Sequence, residues 1–300
     1  MYYSLNPIFI YFTLFITALL VGIVGNAIGI GGGILLVPFF IFYMHLSPLE
    51  SSGLSLLTIM ISTAGGSYIF YKDAALDKHL FIMVLIPALI GIIAGSILSN
   101  YIPTNQFKWI FSIIVIGIGI FSLIATKKQA AIKTNYSDKQ AEDTLNNSKI
   151  KSKGYFSGHI RKKHKETNGT TYDYEIKSPL AINVFSLIAG LVSGFIGIGI
   201  GGITGTFLTA VEQIPPRIAF STIISIMAII SLIGGLIHFC YIKNPFNLAV
   251  YIIPLGIGAL IGSKVGAYIS KNSAAKTLRI YQGTFIIILG ILMLAVSIIE

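Results

Sequence analysis

No Asp, Glu, Lys or Arg precedes Glu50, and none stands between Glu50 and Lys72. Further stretches free of them run over 79–107, 109–126, 178–211, 218–242, 244–263 and 280–299. A helix needs about 20 apolar residues to cross the hydrocarbon core, and most of these blocks reach that length. Inside lipid the backbone must satisfy its own polar groups, which a helix does within a single segment. The blocks therefore predict an all-α polytopic membrane protein. The opening segment lacks a basic start and a small-residue cleavage site, so it reads as a retained first helix rather than a secretory signal.

Charge is concentrated rather than spread. Twelve of the 21 Lys and Arg lie between Lys127 and Lys177, around "HIRKKHKE" (His159 to Glu166). The net charge of +10 is thus a topology signal and not the footprint of a nucleic-acid partner. The segment is poor in large aliphatics, which predicts a mostly flexible loop, with contact to anionic lipid headgroups as a sharper alternative. Cytoplasmic loops collect Lys and Arg, so this loop is expected inside, with both termini outside. Parity then puts eighteen cations inside and only Lys108 and Lys243 outside, with Lys264 snorkelling from within a segment. A plasma-membrane location follows from the same reading. The organisation expected is a first transmembrane repeat over 1–126, a basic loop over 127–178 and a second repeat over 179–300.

The two halves repeat each other. Gly29, Gly31 and Gly33 recur 168 residues later as Gly197, Gly199 and Gly201, and Ser47-Pro48 as Pro215-Pro216. "PALIGIIAGSILSNY" aligns with "PLGIGALIGSKVGAY" at an offset of 167, which pairs Gly91 with Gly258 and Gly95 with Gly262. Each half holds about five hydrophobic segments: 8–28, 31–46, 50–71, 79–101 and 107–126, then 180–197, 200–211, 217–241, 245–270 and 277–298. An odd number of crossings per half predicts two inverted-topology repeats. The apolar run after the second glycine cluster is only about 18 Å of helix, too short to cross. Either the segments flanking each cluster form a re-entrant hairpin, or one of them is a broken helix.

The motifs "GIGGGILLVP" with "SPLESSGLSLL", and "GIGIGGITG" with "PPRIAFSTIIS", resemble the TauE/SafE family of membrane permeases, the sulfite exporter family. The resemblance covers both hydrophobic halves. Gly29, Gly31, Gly32 and Gly33 match the family's Gly-x-Gly-Gly-Gly motif in full. In the second half Ile200 stands in place of a glycine. The resemblance implies transport of sulfite, a related sulfur oxyanion or an organosulfonate.

The residues themselves point to a chemistry independently of that likeness. Glycine lets a chain leave helical geometry and brings bare backbone near a ligand. Irregular backbone at membrane depth is tolerated only where it is buried in protein or lines a cavity. A helix starting after such a break offers free N–H groups and the positive end of its dipole, a ready-made anion site. Two inverted repeats would bring two such starts together near the midplane, as in secondary transporters. The residues expected around the anion are Asn26, Gly29, Gly31, Gly32, Gly33, Ser52 and Ser55, with Gly197, Gly199, Gly201, Gly202, Ser221 and Thr222 opposite. Asn26 and the hydroxyls have a structural alternative, bonding freed or helical carbonyls.

Other features are read more plainly. Gly91/Gly95 and Gly258/Gly262 have the spacing of small-residue helix packing. Gly197-x-Gly199-x-x-Gly202 copies a dinucleotide fingerprint without the strand before it or the acidic residue after it. His45 and His238 are expected at the membrane interface. No dyad, triad or metal cluster is visible, intramembrane carboxylates are absent, and Cys240 is a lone cysteine. The chain is expected to be a transporter and not an enzyme, needing no cofactor, with a small anion, a coupling H+ or Na+ and membrane lipids as partners. A passive anion channel of the same fold and a membrane scaffold without transport are the competing readings.

Overall fold

The structure, a computed structural model, describes residues 7–28, 31–72, 76–143, 160–165, 171–272, 283–284 and 286–295. Its helices are α1 (Pro7–Ile28), α2 (Gly33–Pro38), α3 (Pro48–Lys72), α4 (Lys78–Ser99), α5 (Thr104–Asp143), α6 (Pro179–Ile196), α7 (Gly201–Thr206), α8 (Pro216–Tyr241) and α9 (Pro245–Asn272), with α10 over Ile286–Ala295. Six of them are long and apolar enough to cross a membrane. The chain is an integral, all-α polytopic membrane protein; among the described residues the exception is a small hairpin, β1 (Ile160–Lys165) and β2 (Thr171–Ile176).

Helix starts follow from local chemistry. Ser47 and Glu50 form a reciprocal capping box at α3: the Ser47 N–H donates to the Glu50 carboxylate at 2.9 Å, and the Glu50 N–H to the Ser47 hydroxyl at 3.3 Å. Asp77 caps α4 by accepting from His79 and Leu80, and Ser178 caps α6 from Ala181. After α2 and after α7 the chain continues as a short π-helical turn, Phe39–Tyr43 and Phe207–Val211. Pro38 precedes the first, but Thr206 stands at the equivalent place before the second, so proline is not the common cause.

Helix pairing is close because small residues line it. α4 packs in parallel on α6: a Cβ on Gly91 would stand 2.2 Å from the Leu187 carbonyl oxygen, and one on Gly95 2.0 Å from that of Leu191. α1 and α9 do the same, with Gly258 facing the Phe15 carbonyl and Gly262 that of Leu19 at 2.2 Å. The small-residue packing expected at these four glycines is what the structure has, displaced by one helical turn between the two pairs. α3 and α8 cross the centre antiparallel: Gly53 meets His238 and Phe239, while Gly66 meets Ile224. α5 and α10 are also antiparallel, with Gly119 against Ile287 and Gly290 against Ile116. Exchanging the first five helices for the last five thus carries α1–α9 onto α6–α4, and α3–α9 onto α8–α4.

Within the segment expected as a loop, the structure describes the end of a helix and a hairpin. α5 continues past residue 126 to Asp143, and the antiparallel strands pair Ile160 with Ile176 and Lys162 with Tyr174. Strand alternation buries Tyr174 and Ile176 in the main core. Lys162 and Tyr174, opposite one another, both land on Asp77: the ammonium at 2.9 Å and the phenol hydroxyl at 2.5 Å. Glu212, also buried, accepts from the N–H groups of Lys177 and Ser178. Composition hides this order because its partners lie more than thirty residues away, in the turns before α4 and α8.

Asp77 lies outside the spanning segments. Burial alone would raise its carboxyl, but the Tyr174 hydroxyl, the Leu80 N–H and Lys162 outweigh burial and hold the pKa at about 2. The folded value lies below the ordinary 3.8, so this stabilisation is complete above that value and is lost as pH falls toward 2. Asp77→Asn keeps a helix cap but strands the Lys162 ammonium. A loss of about 2 kcal/mol is expected for a charged hydrogen-bond partner, or a melting temperature lower by about 6 °C. Thermal unfolding in detergent checks it, and the difference from the parent protein should shrink below about pH 4 as the carboxylate protonates.

Candidate functional site

At each glycine cluster the chain reverses. Gly31 and Gly32 have φ of 84° and 83°, and Gly197 and Gly199 both 76°, a left-handed backbone that glycine adopts without penalty. The Gly31 N–H donates back to the Gly25 carbonyl at 3.3 Å, and a Cβ on Gly32 would stand 2.3 Å from the Val21 side chain. α2 then runs back along α1, where Leu36 and Phe40 pack with Leu14, Ala18 and Val21. The chain thus folds back as a hairpin rather than continuing as a helix broken along one axis. In the second half Gly197 caps α6, its N–H donating to the Ser193 carbonyl at 2.8 Å.

The two turns touch. A Cβ on Gly33 would lie 2.5 Å from the Gly197 carbonyl oxygen and 2.6 Å from the Ile198 Cα. α3 holds the junction: Ser55 donates to the Gly197 carbonyl at 2.7 Å, and the Ser52 backbone abuts Gly197. The Asn26 amide donates to the Gly22 carbonyl at 3.0 Å and to the Ser62 hydroxyl at 2.6 Å, tying α1 to α3. Its structural alternative is therefore the role the geometry displays.

Gly201 and Gly202 open α7, and Thr206 donates to the Gly202 carbonyl within that helix. Ser221 donates to the Ile218 carbonyl on its own helix at 3.0 Å, and Thr222 is buried without a hydroxyl partner. Gly29 lies outside the described residues. The structure thus gathers Gly31, Gly33, Ser52, Ser55, Gly197 and Gly199 at one junction. From α8 it brings Met227 there.

Met227 and Ile59 are the residues that sequence reasoning missed. The Met227 Cε is the nearest atom to Cβ positions on both Gly31 and Gly199, and Ile59 stands second at each. Both are wholly buried. An apolar residue in an apolar helix carries little signal, yet these two are 168 positions apart, the offset of the glycine clusters themselves. With all of Gly31–Gly33 and Gly197–Gly202 buried, the junction is closed to solvent. His238 corrects a second expectation: it is buried rather than interfacial, with Nε2 2.8 Å from the Gly194 carbonyl oxygen.

Helices long and apolar enough to cross a membrane, with two glycine turns in contact and a short buried helix following each, make up the architecture of a membrane transporter. Over residues 14–293 the chain matches the family of sulfite exporters TauE/SafE, and it belongs to that family. Similar proteins include the probable membrane transporter protein YunE of Bacillus subtilis, 25% identical over 92% of this chain and 94% of that one. Another is the probable membrane transporter protein MJ0441 of Methanocaldococcus jannaschii, 24% identical over 94% of each. No solved structure matches. Family and relatives alike point to a membrane transporter rather than an enzyme.

Proposed function

We propose that this transporter is a secondary permease for a small anion, sulfite or a related sulfur oxyanion or organosulfonate, and that it works by alternating access. The observation that carries the reading is the contact between two glycine turns from different halves, Gly33 against Gly197 and Ile198. Each turn delivers the chain into a buried helix start, whose first N–H groups and dipole favour an anion. Such a site needs no buried lysine or arginine. Gly29 to Gly33 and Gly197 to Gly202 supply backbone, Ser52, Ser221 and Thr222 supply hydroxyls, and Asn26 and Ser55 hold the turns in place.

Ile59 and Met227 close the site in the conformation described, and an adaptable methionine suits a plug that substrate displaces. The antiparallel α3–α8 and α5–α10 pairs support an inverted repeat whose pseudo-twofold lies in the membrane plane, beside Ile59 and Met227. The basic segment around the β-hairpin would face the cytoplasm of a plasma membrane, and a proton or sodium ion would supply the coupling.

Labelled sulfite in proteoliposomes tests the reading. Uptake is expected to exceed the equilibrium level, by roughly tenfold per 1.4 kcal/mol of imposed gradient that is coupled. Flux that only follows the sulfite gradient would make it a channel, and no anion flux at all would leave a scaffold.

A further inference from the structure

We infer that His238 is a proton-binding site, and that its occupancy is coupled to the second glycine turn. The site is carried by geometry. The ring is wholly buried near the end of α8, and its Nε2 lies 2.8 Å from the Gly194 carbonyl oxygen. A carbonyl only accepts, so Nε2 bears the hydrogen and Nδ1 presents a lone pair in the neutral ring. That Nδ1 is buried and has no partner. Buried polar atoms are nearly always satisfied, and an orphan of this kind asks for a role.

The surroundings could accept the charge. Gly194 is among the last four residues of α6 (Pro179–Ile196), where orphan carbonyls and the negative end of the helix dipole favour a cation. The Ser96 hydroxyl of α4 reaches the same carbonyl at 3.5 Å. His238 Cβ packs against Gly53 of α3, which is flanked by Ser52 and close to Ser51. These two hydroxyls, together with Ser193 beside Gly194 and Ser231 two turns back on α8, are buried without partners. A rotating hydroxyl, or water admitted when the site opens, can accept from a newly formed Nδ1–H.

Few other charges compete. On α3 the nearest ionisable group along the chain is Glu50, whose carboxylate is held by the Ser47 N–H and hydroxyl. α6 carries no titratable side chain, and α4 carries them only at Lys78 and His79, at its far end. On α8 itself the others are Arg217, Cys240 and Tyr241. Within this packing His238 is therefore the group whose free ring nitrogen can take up a proton while Nε2 keeps its bond to Gly194.

Its coupling follows from connectivity. Gly194 is three residues from Gly197, whose N–H is bonded to Ser193 and whose carbonyl accepts from Ser55. A proton on Nδ1 moves the charge at the end of α6 and so biases the turn that α6 feeds. One proton carried with a monoanion would make the crossing electroneutral, which suits a core without fixed charge. This last step rests on the anion-transport reading; proton binding does not.

Two measurements test the proposal. Replacing His45, His79, His159 and His164 by glutamine leaves His238 as the single histidine for nitrogen NMR of the intact protein in nanodiscs. The expected result is an Nε2–H tautomer at neutral pH that gains the second proton on acidification while the protein remains folded. A ring that stays neutral until unfolding overturns the proposal. In proteoliposomes an inward proton gradient should speed sulfite uptake about tenfold in the parent protein. His238→Gln, which keeps an N–H donor but cannot take the proton, should abolish that acceleration and keep gradient-free exchange. An unchanged acceleration in the glutamine variant overturns the coupling. A parent protein that moves no sulfite at all defeats the substrate reading, while the titration still decides the proton site.

Discussion

Gly33→Ala is expected to lower sulfite flux by at least tenfold while leaving a folded protein. The reason is space and not backbone strain, since Gly33 lies in the first turn of α2 with an ordinary helical φ. Its added methyl would stand 2.5 Å from the Gly197 carbonyl oxygen and 2.6 Å from the Ile198 Cα, both main-chain atoms of the opposite turn. No rotamer change relieves that contact, so the two turns must separate by about 1 Å to restore van der Waals distance. Overpacking of this size costs about 1–3 kcal/mol in stability. A misplacement of about 1 Å among positioned groups is enough to lose two orders of magnitude in rate.

Gly117→Ala is the control. Nothing lies within 4 Å of a Cβ on Gly117, and alanine is the better helix former by about 1 kcal/mol. Flux there should be unchanged and stability equal or higher. Proteoliposome uptake and a melting curve on the same preparations make the comparison. A Gly33→Ala protein with full flux would show that the contact between the turns is incidental to transport.

What the residues revealed in advance was whatever the bilayer dictates. The expected 8–28, 79–101 and 217–241 appear as Pro7–Ile28, Lys78–Ser99 and Pro216–Tyr241, because an uncharged block ends where the first charge or cap begins. The glycine turns were legible because four glycines within Gly29–Gly33 strongly weaken a helix, whereas the isolated pairs Gly65-Gly66 and Gly234-Gly235 stay within α3 and α8. The β-hairpin was not, because Lys162 and Tyr174 acquire their order from Asp77, 85 and 97 residues away. His238 was misplaced by counting residues to a helix end, a count that ignores α3 and α6 lying against that end. The plug was silent as well: only the shared offset of Ile59 and Met227 could have singled them out from their apolar neighbours.

Gly95→Leu carries the largest expected loss of stability. Lipid tails are as apolar as leucine, so helices in a bilayer associate through close packing rather than through the hydrophobic effect. α4 and α6 achieve that closeness with Gly91 and Gly95 on one helix and Gly190 and Gly194 on the other, each Cβ position within 2.3 Å of a facing carbonyl oxygen. A leucine at 95 must push the Leu191 backbone away and with it the Gly194 carbonyl that His238 uses. At upwards of 3 kcal/mol for such overpacking, the melting temperature falls by about 10 °C or more. Gly262 holds the equivalent place on α9, 2.2 Å from the Leu19 carbonyl oxygen, so Gly262→Leu should cost a similar amount. Fluorescence-detected size-exclusion after heating measures both. If one variant collapses while the other melts like the parent, the α1–α9 and α4–α6 pairs are not equivalent supports, and a transport cycle in which the two halves rock as matched bodies loses its mechanical basis.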